Sequence, residues 1–127
     1  MLWRTEVWYQ PEKVAKDHEI FGCDYVGLGW YGFNDTDCRV YDFVEKYKSI
    51  AERIKAAGKY FMYHNHDSEF KREDGIIVLE KLSNIFTPDE MGFTIDTYWV
   101  QRGGGDPVQN ICWWSRMTVM EKIHLNV

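Results

Sequence analysis

His64, Asp96 and His124 are the residues of this chain whose types and spacing can do chemistry together. They stand 32 and 28 residues apart, and each ends or directly follows a short apolar run: Tyr60 to Tyr63, Phe93 to Ile95 and Lys122 to Leu125. Two imidazoles and a carboxylate suit a divalent ion such as Zn, Mn, Co or Fe, with positions left open for a substrate. The plainer reading of each residue alone is a hydrogen-bonded strand end. Their matching positions are what argue for a shared site.

The densest polar cluster surrounds the first of them, in Tyr63-His64-Asn65-His66-Asp67-Ser68-Glu69-Phe70. His66 is placed to touch a bound substrate. Glu69 can accept a proton or orient an imidazole, and His64 is the other candidate catalytic group. The alternative for Asp67 and Glu69 is a solvated loop that caps the next helix. Beyond Asp96, Trp99 and the earlier Trp30 can form an apolar wall for a sugar ring, although core burial is the commoner fate of tryptophan. Gly103-Gly104-Gly105-Asp106 lacks the Lys-Ser/Thr of a phosphate-cradling loop and the G-x-G-x-x-G spacing, so it reads as a turn. Arg102 beside it can neutralise an anionic substrate group.

The elements that position these residues follow from punctuation and periodicity. Pro11 opens a helix with Val14, Ala15, His18 and Phe21 at helical spacing, closed by Gly22. Tyr25 to Tyr31 reads as a strand. A longer helix carries Phe43, Val44, Tyr47, Ile50, Ala51, Ile54 and Ala57 and stops at Gly58. Tyr60 to Tyr63 has the all-apolar character of a buried parallel strand. Ile76 to Phe86 is expected as a helix with Leu79, Leu82, Ile85 and Phe86 inward. Phe93 to Ile95 is a brief strand, and Asp106-Pro107 starts another helix. Lys122 to Leu125 is a last strand, with Val7-Trp8-Tyr9 a strand remnant at the front. Alternating elements of this kind predict an α/β fold with a parallel sheet, as a single domain over 1–127.

Composition bounds the function. The chain has 127 residues, 45% of them apolar and 28% charged, which excludes a disordered tail. An aromatic share of 17% leads one to expect several rings lining something besides core. A net charge of −5 makes nucleic acid and anionic membranes poor partners. Three cysteines without a CxxC pair, no long apolar run and no signal-peptide pattern at the N-terminus point to the cytoplasm.

Taken together, YHNHDSEF, GFTIDTYWVQRGGGDPV and IHL resemble the xylose isomerase-like family of sugar isomerases and epimerases, over Pro11 to Leu125. The resemblance implies a (β/α)8 TIM barrel and metal-assisted proton transfer next to a carbonyl of a sugar, sugar acid or inositol derivative. It also implies one divalent ion (Mn, Zn, Co, Mg or Fe). By position, His64 stands where the family's first metal-binding Glu falls, while Asp96 and His124 match its Asp and His. His66 and Trp99 correspond to substrate-contacting positions.

The chain departs from the pattern in three ways. A histidine replaces one of the two acid/base glutamates, the second glutamate has no counterpart, and Asn126-Val127 follow His-Leu where Lys-Asp is expected. The length matches about half of a barrel of roughly 250 residues. The expectation is therefore a partial barrel of four central-to-late β/α units, whose edges are covered when two copies pair as a homo-oligomer, a dimer of half-barrels. A non-catalytic carbohydrate-binding or interaction module derived from such a barrel is the alternative. Apurinic-site endonucleases share the barrel, but four histidines and a net negative charge fit that reading poorly.

Overall fold

The computed structural model describes residues 10–35, 37–117 and 123–126, with the backbone alone described at 113–117 and 123–126. The expected strand at Val7-Trp8-Tyr9 lies outside the described residues. Helix α1 (Pro11–Ile20) precedes strand β1 (Tyr25–Leu28), and helix α2 (Val40–Ala56) leads into β2 (Tyr60–His64). A 3-10 turn (Ser68–Phe70), a hairpin of β3 (Arg72–Glu73) and β4 (Ile76–Ile77) and helix α3 (Val78–Ile85) come next. Then follow β5 (Gly92–Asp96), the short helix α4 (Thr97–Arg102), α5 (Pro107–Met117) and β6 (Ile123–Asn126). Four strands form one parallel sheet in the order β1-β2-β5-β6. The α/β expectation holds. Among the described residues, no helix is long and apolar enough to cross a membrane.

Strand side chains alternate between the two faces of a sheet, and here the alternation separates core from site. Phe61 stacks on Tyr47 of α2 at 5.9 Å, and Tyr63 meets the edge of Phe43 at 5.4 Å. Val26 and Leu28 stand opposite Phe61 and Tyr63 in register, so this face packs against the helices. The other face carries Met62 and His64 from β2. In register, Gly27 pairs with Met62 and Met62 with Gly92, while His64 pairs with Thr94 and Thr94 with His124. An open half-barrel leaves that inner face bare, yet Met62 and His64 are only 2% and 7% exposed.

Most of the described aromatic rings are core. Tyr31, Phe33, Phe43, Tyr47, Phe61, Tyr63, Phe86 and Phe93 are all buried, and Phe43 alone contacts Tyr31, Phe33, Tyr47, Tyr63 and Phe86 within 6 Å, at 4.6–5.8 Å between centroids. Much of the described aromatic content thus goes into one cluster between sheet and helices.

Three local expectations change. The strand after Gly22 stops at Leu28, and the chain then turns through Gly32, whose φ of +95° seats the Trp30 indole against it. Ile76 and Ile77 belong to a hairpin, and the helix starts only at Val78. Asp74 and Gly75 have φ of 54° and 83°, the pair of positive values that a tight hairpin turn needs. Ile85, expected inward, is exposed, as is Phe21, read at helical spacing, because α1 and α3 end on Ile20 and Ile85 and their last residues turn to solvent.

Phe43→Ala removes the ring that links α2 to β2 and α3. The expected cost is about 3–5 kcal/mol, read as a lower urea midpoint with the m-value unchanged.

Candidate functional site

The site lies where β2 and β5 end. His64, the last residue of β2, and Asp96, the last of β5, are both buried, with His64 Nε2 3.1 Å from Asp96 Oδ2. The other carboxylate oxygen, Oδ1, accepts the Tyr98 N–H at 3.1 Å and caps α4. Asp96 therefore holds the first turn of a helix with one oxygen and faces an imidazole with the other.

Helix α4 is not legible in the sequence, where no element is read between Ile95 and Gly103. At six residues it is too short to show periodicity. It sets Trp99 and Arg102 three apart on one face, with the guanidinium 5.5 Å from the Trp99 ring centre. Arg102 also donates to the Tyr98 hydroxyl and to Asp67 Oδ2, each at 3.2 Å. Its charge is already partly answered by Asp67.

His66 joins the two halves. Its ring is 5.0 Å from His64, edge-on, and 5.1 Å from Trp99. Burial pushes the His66 imidazole pKa below its ordinary value, against the opposing pull of the Glu69 charge. The Nδ1 atoms of His64 and His66 are both buried without a hydrogen-bond partner among the described residues. Buried polar atoms are normally satisfied, so an orphaned nitrogen on each of two neighbouring imidazoles marks a place where a ligand can complete the bonding.

Glu69 occupies a different place from the imidazoles. It is fully buried and accepts from the Tyr63 hydroxyl, from the His66 N–H at 2.9 Å and from the Ser68 hydroxyl at 2.9 Å. Tyr63 points to the helix side of the sheet, opposite His64, so the Glu69 carboxylate sits on that side too. Burial, followed by the Glu69 charge, pushes the Tyr63 phenol well above its ordinary pKa and keeps it a donor. Glu69 thus anchors the loop that carries His66 through that residue's backbone.

The remaining sequence-derived candidates are placed less closely. Trp30 follows β1, two strands away from β5 in sheet order, and its ring is half exposed. His124 lies in β6 at the level of Thr94, one side-chain level before Asp96, whose register partner is Asn126. The His124 side chain lies outside the described residues. Among the described residues no three His, Cys, Asp or Glu side chains gather as a metal-holding group. Asn65, in sequence only one member of the polar cluster, is wholly buried and bonds both backbone groups of Asp96.

Two solved structures, both titled as sugar phosphate isomerase/epimerase from Parabacteroides distasonis, resemble this chain in fold. One superposes with a TM-score of 0.74 at 22% identity, covering 90% of this chain and 45% of that one. The other gives 0.70 at 23%, covering 86% and 44%. The fold is a partial TIM barrel. The chain spans less than half the length of these structures. No protein-family pattern and no curated protein matches it. At this level of identity the likeness establishes the fold, and the strand ends of that fold are where barrel active sites lie.

Glu69→Gln puts an amide N–H₂ among three donors. The expected loss is about 1–3 kcal/mol in urea unfolding, with an altered His66 backbone amide resonance. An unchanged midpoint and resonance would remove the anchoring role.

Proposed function

We propose that the ends of β2 and β5 form the metal- and sugar-binding mouth of an isomerase- or epimerase-type barrel acting on a sugar or polyol. The observation that carries this reading is the His64–Asp96 pair at the carboxyl ends of adjacent parallel strands. An imidazole nitrogen and a carboxylate oxygen 3.1 Å apart are two donors able to share one small divalent ion. With imidazole among the donors, Zn, Mn, Co or Fe suits the pair better than Mg. His124, on the strand next to β5, is the proposed third donor. When bound, the ion would supply Lewis-acid polarisation of a carbonyl and hydroxyl pair.

The chain's own residues have distinct parts in this reading. His66, whose pKa burial lowers, offers its unpartnered Nδ1 to a substrate hydroxyl. The Trp99 ring packs against the apolar face of the sugar, while Arg102 stays stacked on that ring and tethered to Asp67. Trp30 is proposed to close the wall from the β1 side. Glu69 positions His66 and is taken up by three donors. That last observation favours a second reading, a carbohydrate-binding module without turnover, because the Glu69 carboxylate, the candidate proton carrier, is already engaged. In either case the proposed place of action is the cytoplasm.

The proposed assembly is a dimer, in which a second copy supplies strands beside β1 and β6, the outer strands of the described sheet.

Native mass spectrometry tests assembly and metal together. The expected species is two chains with bound metal, and Asp96→Ala is expected to lose the metal. A monodisperse monomer would sink the dimer, and full metal content in the Asp96 variant would sink the assigned site. Metal uptake with sugar binding but no isomerisation would select the binding-module reading.

A further inference from the structure

We propose that Asn65 is a positioning residue that sets the geometry of the His64–Asp96 pair. The paired β2–β5 register ends at His64 and Thr94, just where the two functional side chains must be held. Past that point β2 leaves the sheet toward His66, while β5 continues for two more residues. The backbone of Asp96 is left to find other partners on this side. Asn65 supplies them from its side chain: Oδ1 accepts the Asp96 N–H at 2.8 Å and Nδ2 donates to the Asp96 carbonyl at 3.4 Å. Its own N–H reaches the Thr94 carbonyl at 3.4 Å.

A primary amide carries an acceptor and a donor on one plane, as a peptide unit does. Asn65 therefore extends the pairing after the backbone of β2 has turned away. The consequence for the site is direct. Asp96 Oδ1 is committed to the Tyr98 N–H, so where Oδ2 lies depends on where the Asp96 backbone is held. Asn65 holds that backbone and is the residue next to His64. One buried side chain thus ties both halves of the pair to a common frame, as partners outside a ligand set commonly do.

The test reads the pair in the full chain without relying on activity. Nε2 of His64 faces an acceptor-only carboxylate and Nδ1 has no partner among the described residues, so long-range nitrogen–proton NMR of the metal-free chain is expected to show His64 as the Nε2–H tautomer. Asn65→Ala is expected to lose that single-tautomer signature while the Ile54 and Leu82 methyl resonances stay in place. Retention of the signature in a folded Asn65→Ala chain overturns the proposal. Should that variant not fold, Asn65→Ser is read in the same way, since its hydroxyl is too short to reach the Asp96 N–H.

A second arm rests on the metal reading above. Zinc alone, titrated calorimetrically, is expected to bind Asn65→Ala at least about tenfold more weakly than the parent chain. Equal affinity overturns the role. A parent chain that takes up no zinc defeats the metal reading instead, and the tautomer then decides the role of Asn65.

Discussion

Everything at the candidate site depends on the parallel pairing of β2 with β5. The two strands come from segments some thirty residues apart, and neither has a reason to be straight or buried alone. Paired with Met62 opposite Gly92, Tyr63 opposite Phe93 and His64 opposite Thr94, they fix which residues share a face. A slip of one residue would turn Tyr63 inward and put His64 among the helices. The aromatic cluster prevents the slip, because Phe61 and Tyr63 already fit against Tyr47 and Phe43 of α2. Core packing on one face thus determines the chemistry on the other.

The site then forms where that pairing runs out. Backbone groups at strand ends need partners, and in this chain buried polar side chains supply them. Asn65 continues the ladder for Asp96, Asp96 caps α4, and Glu69 takes the His66 N–H. Each bond also orients a residue of the mouth. The polar groups that make the site are therefore the same ones that close the sheet, which explains why so many of them are buried. The orphaned Nδ1 atoms of His64 and His66 are the exceptions, and the His66 ring lies 5.1 Å from that of Trp99.

Much of this was legible one residue at a time. The apolar runs located all four strands of the sheet, and Gly22 and Gly58 marked helix ends correctly, each with positive φ. The proximity of His64 and Asp96 followed from their common place at strand ends. The misreadings share a cause: the signal lay in too few residues. The β3–β4 hairpin has two residues per strand, and beside its Asp74-Gly75 turn the apolar Ile76-Ile77 reads as the start of the following helix. Helix α4 covers less than two turns, so no apolar stripe could announce it.

By itself the sequence determined the α/β order of elements, the apolar strand faces and the donor types His64, Asp96, His66 and Glu69, because periodicity and residue chemistry are local properties. Only the tertiary structure decided which donors meet. It brought His64 to Asp96 and set the His66 ring, tilted, beside Trp99. It also sent Glu69 behind the strand to Tyr63. Side-chain direction at the end of a strand depends on where the departing chain finds hydrogen-bond partners, and those partners lie on other strands and turns that spacing along one chain does not specify.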